Sequence, residues 1–302
     1  MTSPHGLLLL DKPSGMTSFQ SIRRLKACLP GAKTGHSGTL DPLATGLLVV
    51  LLGEATKAAL FLEEEPKVYA ARVLLGVETD TYDTDGRVMR EAPVPQDEAA
   101  IIEAFESLKG ARMQQPPPFS AAKFKGKPLY RYARRGEAVE GRPRRVEVYD
   151  VDVGGISWEG ERCEAELTLS CSRGTYVRSL CKEAGDKLGC GGALAGLRRL
   201  AAGPFRVEEA LGLDRWVEKL ERGDLQGIIS IAEALSHLPR VTAAGKEAAK
   251  VRNGHSLQLP EDLAGRVVMV VDGDGAPLAL HAAAEGGGGA SRVLRVFNLK
   301  HP

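Results

Sequence analysis

The stretch GLLVVLLG, residues 46–53, most constrains the fold, because it is apolar without a break. Its paired valines and its length indicate a strand at the centre of a sheet. The residues just before it differ in character, because GHSGTLDPLATGLL, residues 35–48, brings together glycines, hydroxyl side chains, one histidine and one aspartate. We therefore expect a polar, glycine-rich loop that leads directly into a central strand.

Strand and helix patterns alternate along the first 240 residues. A helix is expected from Thr17 or Ser18, because either hydroxyl can accept a hydrogen bond from a free amide in the first turn. Pro30-Gly31 ends that helix. The same pattern rules predict strands over 6–10, 67–79, 146–155, 163–172 and 197–205, and helices over 55–65, 97–110, from Val177 onward, 207–220 and 227–236.

The chain length and a change of character near residue 241 indicate two domains. At roughly 150 residues per domain, the 302 residues suggest about two domains, each long enough for its own core. After that point, the β-like runs RVVMVVD, APLALHAAA and SRVLRVFNL are separated by DGDG and EGGGGAS. We predict one domain over 1–240 and a small β-rich domain over 241–302.

Basic residues are concentrated in one segment, although the net charge of the chain is only +1. Residues 109–145 carry eleven Lys or Arg against Glu137 and Glu140, so this segment is +9 and the remainder of the chain is −8. A basic segment with interleaved aromatic residues fits a surface that binds a polyanion. A solvated, mobile face would have the same composition, so composition alone leaves both interpretations open.

The cysteines and the apolar runs exclude several classes of protein. The five cysteines are an odd set without a CxxC pair, which argues against a disulfide framework and a zinc site. The four leucines at 7–10 lack the length and the basic flank of a signal peptide. The sequence contains no run of about 18 uncharged apolar residues, which is the length needed to cross a membrane. We expect a cytoplasmic protein that needs no metal.

Asp41 is the candidate reactive group in the loop. Pro42 follows it, and a residue before proline is pushed out of the helical region into an extended conformation. Gly35, Gly38 and Gly46 permit positive φ angles and the close approach of a large ligand. An aspartate in this setting can project into a cleft, although an isolated Asp-Pro pair more often only starts a turn.

The whole stretch 35–48 closely resembles the catalytic loop of the TruB family of tRNA pseudouridine synthases. Other segments resemble the family's motifs in the same order and approximate spacing, from residue 6 to about 205 and more loosely to the end. They are GLLLLDKPSGMTS, LGEATK, KVYAARVLLG with TDTYDTDG, FSAAKFKGKPLYRYARRG, SRGTYVRS, KLGCG and LRRL. The resemblance implies an α+β pseudouridine synthase fold with a mixed, largely antiparallel central sheet, followed by a β-rich PUA-like domain.

The resemblance also implies the reaction, in which uridine 55 of the tRNA T-loop becomes pseudouridine. The uracil is detached from its ribose, turned, and rejoined through carbon, so no cofactor is expected. The matching carboxylate is Asp41, which either attacks the sugar covalently or removes a ribose proton to give a glycal. The sequence leaves these two routes open.

The family's other site residues map onto single positions of this chain. Arg178 matches the arginine that pairs with the aspartate, and such a cation would keep Asp41 ionised and aimed. Tyr69 matches the tyrosine that stacks on the uracil and is proposed to help remove its C5 proton. Tyr176 and Leu197 match residues that line the base pocket. Each of the last three could otherwise be an ordinary packing residue.

Two further residues are implied to support the bound nucleotide. His36 matches a histidine thought to enter the space that the flipped nucleotide leaves. A uridine inside a folded loop must leave its stack at a cost of a few kcal/mol, and stacking on an aromatic ring returns roughly 1–3 kcal/mol. Lys12 and its neighbour Pro13 are expected to support the floor of the site rather than to react.

The basic segment matches an insertion that closes over the T-arm of tRNA. Its cations would hold phosphates, which gives affinity that falls with salt and carries little sequence information. Because its composition is proline-rich and charged, we expect residues 114–145 to be disordered until RNA is bound. The residues predicted to bind RNA are Lys123, Lys125, Lys127, Arg131 and Arg134.

Two alternatives to a stand-alone monomeric synthase remain. One is an RNA-binding protein that helps tRNA fold and whose catalysis is secondary or lost, although the aspartate, arginine and tyrosine set argues against a loss. The other is the guide-RNA-dependent relative of the family, which shares the aspartate loop and a PUA domain. The long basic insertion favours the stand-alone form, which needs no guide. Activity on bare tRNA would separate the stand-alone form from the guide-dependent one.

Overall fold

The structure, a computed structural model, describes residues 4–63, 65–286 and 289–299. Its helices are α1 (Ser18–Ala27), α2 (Glu98–Glu106), α3 (Leu129–Ala133), α4 (Val177–Lys187), α5 (Leu213–Glu221), α6 (Ile231–Ala234) and α7 (Gly245–Arg252). Its strands are β1 (Gly6–Lys12), β2 (Thr34–Ser37), β3 (Thr45–Leu52), β4 (Lys67–Leu75), β5 (Val77–Thr79), β6 (Val88–Glu91), β7 (Gly110–Gln114), β8 (Lys123–Phe124), β9 (Lys127–Pro128), β10 (Arg144–Glu159), β11 (Arg162–Cys171), β12 (Gly192–Ala202), β13 (Phe205–Arg206), β14 (Leu211–Gly212), β15 (Arg240–Thr242), β16 (Val267–Val271), β17 (Pro277–Ala282) and β18 (Arg292–Val296).

The central sheet has the strand order β14-β1-β3-β12-β4-β11-β10-β7, with β2 paired to β3 and β13 paired to β12. The β1–β14 and β3–β12 pairs are parallel, and the other pairs are antiparallel. The structure thus confirms the predicted α+β class with a mixed, largely antiparallel sheet. The central strand predicted from the apolar run is β3, which has neighbours on both sides.

The unbroken apolar character of β3 arises because both of its faces are buried. Successive side chains of a strand point to opposite faces. Leu48, Val50 and Leu52 enter the core beneath α1, α2, α4 and α5. Leu47, Val49 and Leu51 enter a second core on the other face, which includes residues of α6 and of the C-terminal sheet. The helix-covered face is the one that carries the candidate site.

Helix α1 begins where the sequence predicts. Thr17 caps it: its hydroxyl accepts a bond from the amide of Gln20, and the Gln20 side chain accepts one from the Thr17 amide. This reciprocal pair satisfies two donors that a helix start otherwise leaves unpaired. Ile22 and Leu25 turn inward and pack against the sheet.

Several predicted elements differ from the observed ones. The helix predicted over 55–65 is wrong, because a 3-10 helix over Gly53–Ala58 takes its place. The Thr56 hydroxyl donates to the Gly53 carbonyl at 2.8 Å, and such side-chain bonds compete with regular helix formation. Residue 64 lies outside the described residues. The last strands and helices are also shorter or shifted: β12 starts five residues early, α5 begins at Leu213, and α6 is a single turn.

A second sheet forms the C-terminal region, in the order β15-β16-β17-β18. It has a small core of its own, to which α7 contributes Ala248 and Val251. Its other face shares a core with β1 and β3 through Met269, Leu280 and Phe297. The β-rich C-terminal region is therefore confirmed, while the boundary at 240 and the PUA-like assignment stay predictions. No helix in the described ranges is long and apolar enough to cross a membrane.

Candidate active site

The loop between β2 and β3 carries Asp41 and is held by neighbouring backbone groups. The Ser18 hydroxyl, at the start of α1, donates to the Leu40 carbonyl at 3.0 Å and accepts from the Leu40 amide at 2.9 Å. The Gly15 amide donates to the Pro42 carbonyl at 2.9 Å. These bonds fix the residues on either side of Asp41, so its backbone has a defined position.

Lys12 supports this loop from below. Its side chain is buried, and its Nζ donates to the carbonyls of Pro13 at 2.8 Å, Met16 at 2.6 Å and Pro42 at 3.4 Å. Burial lowers the pKa of Lys12 to about 8, while the negative charge of Asp41 acts in the opposite direction. The ammonium group is engaged by main-chain carbonyls, which fits the predicted role as a support of the floor.

Arg199 holds the other end of the loop. It is buried on β12, where its Nε donates to the Leu47 carbonyl at 2.6 Å and its Nη2 donates to the Gly38 carbonyl at 2.9 Å. Gly38 has a φ of +71°, and a Cβ at this position would lie 2.6 Å from the Nζ of Lys67. The loop therefore requires glycine at 38, both for its conformation and for its close approach to two cations.

The centre of the site is an arginine between two carboxylates. The Nε of Arg178 lies 2.9 Å from Oδ2 of Asp41, and its Nη1 lies 3.4 Å from Oδ2 of Asp83. The side chain of Asp41 is 37% exposed, against 4% for Arg178 and 10% for Asp83. The Nε–H of Arg178 is not aligned for a hydrogen bond to Asp41, although the distance is that of an ion pair. Asp41 can therefore meet a ligand while the cation stays behind it.

Arg178 is fixed by main-chain carbonyls as well as by charge. Its Nη1 donates to the Thr81 carbonyl at 2.8 Å, and its Nη2 donates to the Phe119 carbonyl at 2.9 Å. Thr81 belongs to the acidic segment TDTYDTDG, and Phe119 lies in the basic insertion. The arginine therefore contacts the loop that carries Asp41, the acidic segment and the insertion at one point.

Asp83 is the carboxylate that sequence reasoning did not single out. Its Oδ1 accepts from the Thr81 hydroxyl at 2.6 Å. Burial raises the pKa of Asp83, the Thr81 bond and the charge of Arg178 oppose that rise, and the charge of Asp41 adds to it. Because the two carboxylates share one arginine, a change in the charge of Asp83 changes the field at Asp41.

Tyr69 lies on β4 in the interior of the site, directly between its strand neighbours Leu169 and Arg199. Burial raises the pKa of Tyr69, and the adjacent Arg199 guanidinium partly offsets that rise. The charge of Asp41 also raises the pKa of the Tyr69 hydroxyl, so the two side chains interact electrostatically. At neutral pH the side chain is a phenol.

Tyr176, Leu197 and His36 lie on three elements around the loop. Tyr176 precedes α4, where its amide donates to Oε1 of Gln114 at 2.7 Å and its carbonyl accepts from Nε2 of Gln114 at 3.1 Å. Leu197 is half-buried on β12, opposite Ala71 of the strand that carries Tyr69. His36 is half-buried on β2, opposite Val50. The roles of these residues stay predictions.

The basic insertion is the part of the chain between β7 and β10, residues 115–143. It contains the short β8–β9 hairpin and α3, and Leu129 anchors it as a buried residue. Phe124 and Tyr132 meet edge to face at 5.9 Å, and Arg134 lies 5.5 Å from the centre of the Tyr130 ring. The five side chains predicted to bind RNA are all exposed, namely Lys123, Lys125, Lys127, Arg131 and Arg134.

Sequence reasoning thus named Asp41 and Arg178, which the structure places within ion-pair distance, but missed part of their surroundings. Asp83 lies in a segment that the resemblance identified without assigning roles, and Arg199 lies in the LRRL motif. Arg199 could have been singled out from the sequence, because an arginine among buried strand residues needs hydrogen-bond acceptors inside the protein. The contact of Phe119 uses a backbone carbonyl, so its side chain carried no signal.

Residues 25–177 match the family described as TruB family pseudouridylate synthase, N-terminal domain. The chain is 42% identical over 269 residues to tRNA pseudouridine synthase B of Aromatoleum aromaticum, which covers 89% of this chain and 86% of the relative. The protein of the same name from Geobacter sulfurreducens is 42% identical over 254 residues, 82% of this chain and 81% of that relative.

A solved structure with a similar fold is that of a Cbf5-Nop10-Gar1 complex. It has a TM-score of 0.70 and 28% sequence identity, and the match covers 97% of this chain and 85% of that one. The predicted pseudouridine synthase fold is therefore confirmed. With the family match spanning the loop of Asp41 and relatives at this identity over most of the sequence, the chain belongs to the TruB family of pseudouridylate synthases.

Proposed function

We propose that this protein isomerises uridine 55 in the T-loop of tRNA to pseudouridine, with Asp41 as the reacting carboxylate. The observation that carries the proposal is the partly exposed Asp41 carboxylate, 2.9 Å from the buried guanidinium of Arg178. The name of the relatives, tRNA pseudouridine synthase B, supports tRNA as the substrate. The position within the tRNA comes from the family resemblance of the loop.

The reaction exchanges the C1′–N1 bond of uridine for a C1′–C5 bond. In one route an Asp41 oxygen attacks C1′ and uracil leaves through N1, and C5 of the turned base later displaces the carboxylate. In the other, Asp41 removes the C2′ proton of the ribose while uracil leaves through N1, which gives a glycal, and C5 then adds to C1′ as that proton returns to C2′. In both routes C5 loses a proton and N1 gains one, so the overall change is an isomerisation.

The surrounding residues prepare this chemistry in different ways. Arg178 holds the charge of Asp41 beside the position of the ribose, which is the kind of preorganised electrostatic support that lowers reaction barriers. Tyr69 supplies a stacking surface for the uracil, with Tyr176 and Leu197 as further walls. Burial raises the pKa of Tyr69, so its hydroxyl is protonated at neutral pH. It must therefore release its own proton before it can accept the C5 proton.

The target nucleotide must leave its stack before Asp41 can reach the sugar. Extrusion costs a few kcal/mol, and stacking on Tyr69 returns roughly 1–3 kcal/mol. His36 fills the space that the nucleotide leaves in the RNA.

The basic insertion is the proposed binding surface for the T-arm. Its exposed cations are free to approach phosphates, and a groove on α3 is lined by Lys127, Tyr130, Arg131, Arg134 and Arg135. The protein acts as a monomer in the cytoplasm and uses no guide RNA. The Phe119 carbonyl of the insertion accepts a hydrogen bond from Arg178. RNA bound on the insertion therefore contacts a segment that is hydrogen-bonded to the reactive centre.

The test uses purified protein and an unmodified tRNA transcript, without guide RNA. Pseudouridine is mapped by carbodiimide-dependent stops of reverse transcription, for the wild type and for Asp41→Asn. A stop at position 55 that disappears in Asp41→Asn supports the proposal. If wild-type protein binds the tRNA and produces no stop, the folding helper or the guide-dependent enzyme becomes the better interpretation. A stop that survives in Asp41→Asn means that another residue reacts.

A further inference from the structure

We propose that Arg144 binds a backbone phosphate of the RNA next to Tyr176. The inference rests on the proposed RNA substrate and adds a residue that lies outside every motif from which the family resemblance was drawn. The ligand class is a phosphodiester, and the site consists of the Arg144 guanidinium at the rim of the active site.

Arg144 lies over the ring of a residue of the candidate base pocket. The Cζ of its guanidinium lies 5.2 Å from the centre of the Tyr176 ring. On another side it approaches Gly174, whose φ is +83° and where a Cβ would lie 3.3 Å from Nη1 of Arg144. An arginine over an aromatic face keeps its in-plane N–H groups available at its edge. The contact with the ring therefore positions the guanidinium without using its N–H donors.

The strand geometry directs Arg144 towards the site and its neighbour away from it. Arg144 begins β10 and shares a face with Val146 and Val148, both of which are buried. It pairs with Gln114, the residue whose side chain holds the backbone of Tyr176 through two hydrogen bonds. Arg145 is the next residue, points to the opposite face and is exposed.

The charge of Arg144 has no acidic partner within the described part of the chain, since no ion pair joins it to a carboxylate there. Neighbouring arginines differ: Arg173 lies 3.5 Å from Glu65, and Arg112 lies 3.1 Å from Glu183. A half-buried guanidinium that lies over an aromatic ring and has no carboxylate partner is suited to an external anion. Arginine matches phosphate oxygens with two parallel N–H donors.

The position of Arg144 identifies which part of the RNA it can reach. Tyr176 precedes Arg178 by two residues, so their Cα atoms are at most about 7 Å apart. Arg178 in turn pairs with Asp41, the carboxylate that acts on the ribose of the target. The phosphate held by Arg144 is therefore one that flanks the target nucleotide, rather than one in the stem that the insertion covers.

The experiment measures binding of an unmodified T-arm RNA as a function of salt for the wild type, Arg144→Gln and Arg144→Lys. Arg162→Gln is the matched control, because it removes the same charge from an exposed position on the neighbouring strand β11, outside the basic segment. Loss of one phosphate contact is expected to weaken binding and to reduce the slope of log affinity against log salt by about 0.7–0.9. Arg144→Lys should retain the slope, and Arg162→Gln should keep wild-type affinity and slope.

A second RNA set carries one uncharged methylphosphonate linkage, either 5′ or 3′ of the target uridine. The wild type should lose affinity for one of these RNAs, and Arg144→Gln should bind that RNA and the unmodified RNA equally. Thermal unfolding verifies that each variant is folded. The proposal is overturned if Arg144→Gln and Arg162→Gln have the same slope, or if Arg144→Gln slows the reaction while its salt slope is unchanged. Wild-type protein that does not bind the RNA contradicts the proposed function instead.

Discussion

Asp83 shares the Arg178 guanidinium with Asp41, the candidate reactive carboxylate. The Arg178 guanidinium lies between Asp41 and Asp83, so removing the charge of Asp83 frees the arginine to shift toward Asp41 and alters the field there. A hydrogen bond or ion pair of this charged kind is worth about 1.5–3 kcal/mol. We expect Asp83→Asn to lower the rate of the chemical step by about 10- to 100-fold. Single-turnover kinetics on tRNA transcripts measure that step directly.

The same substitution has a signature in the pH profile. Burial raises the pKa of Asp83 above its ordinary value, so on acidification it takes up a proton before an exposed aspartate does. The wild-type rate should fall as the pH drops through that raised value, and Asp83→Asn should lack this part of the fall. Asp85→Asn is the control, because Asp85 is exposed in the same acidic segment. Equal rates for the two variants would contradict the role of Asp83.

The limit of sequence reasoning at this scale is visible in Asp83 and Arg199. Asp41 and Arg178 were predicted because each stands in a motif whose pattern resembles that of the family. Asp83 and Arg199 stand in such motifs too, but their importance depends on which atoms they meet across the fold. The bond of Arg199 to Gly38 joins residues 161 positions apart, and no local pattern encodes that separation.

The loop between β2 and β3 is the element on which the position of Asp41 depends. Gly38→Ala would introduce a side chain at a φ of +71°, 2.6 Å from Nζ of Lys67 and 3.1 Å from Nη1 of Arg199. Backbone strain of this kind costs about 1–3 kcal/mol, and a displacement of about 1 Å can lower a rate about 100-fold. We expect a large fall in the single-turnover rate with a modest loss in the free energy of unfolding.

Gly31→Ala separates strain from displacement of the loop. Gly31 has a φ of +79°, and nothing lies within 4 Å of the position of its Cβ. This variant should lose comparable stability in urea denaturation and retain its rate. If both variants retain the rate, the loop tolerates alanine at 38 and its close fit to Lys67 and Arg199 is not required.

The basic insertion is the element whose order we expect to depend on RNA. Its regular structure is limited to two strands of two residues and a helix of five residues, which provides few hydrogen bonds against local opening. Hydrogen exchange over 115–143 should be fast without RNA and slower with tRNA bound, while β10 and β11 stay protected throughout. Uniform protection of the insertion without RNA would contradict this expectation.

Elements with one strong local cause were predictable, and those set by contacts were less so. The position of β3 follows from its apolar run, and the start of α1 follows from the cap at Thr17. The prediction of a helix over 55–65 was wrong. The Thr56 hydroxyl bonds back to the Gly53 carbonyl, and a short 3-10 helix forms there in place of a regular α-helix. The length of β12 depends on its pairing with β4, a contact that local sequence does not describe.

At the scale of the whole molecule, the C-terminal sheet and the central sheet share a hydrophobic core. Met269, Leu280 and Phe297 pack in the same cluster as Leu7 and Leu9. Lys57 also donates to the Val296 carbonyl at 2.8 Å. The sequence indicated two regions but not this shared packing, because it joins residues more than 200 positions apart. A disturbance in the C-terminal sheet should therefore affect unfolding of the whole protein.

His281 provides such a disturbance through pH. It is buried on β17, its Nδ1 lies 2.7 Å from the Ser291 hydroxyl, and burial lowers its pKa from the ordinary 6.5. Above that pH the imidazole is neutral in both states. Below it the unfolded chain takes up a proton that the folded protein resists, so stability is lost as the pH falls. The loss can reach at most about 1.4 kcal/mol per pH unit.

The measurement follows thermal unfolding between pH 7.5 and 5.5 for the wild type and for two matched variants. His281→Gln removes the titrating group, so its melting temperature should fall less on acidification than that of the wild type. His255→Gln removes an exposed histidine from the same region and should keep the wild-type dependence. Because the two sheets share a core, the wild type should unfold in one transition across this range. Two separate transitions, of which only one responds to His281, would mean that the common core does not couple the sheets.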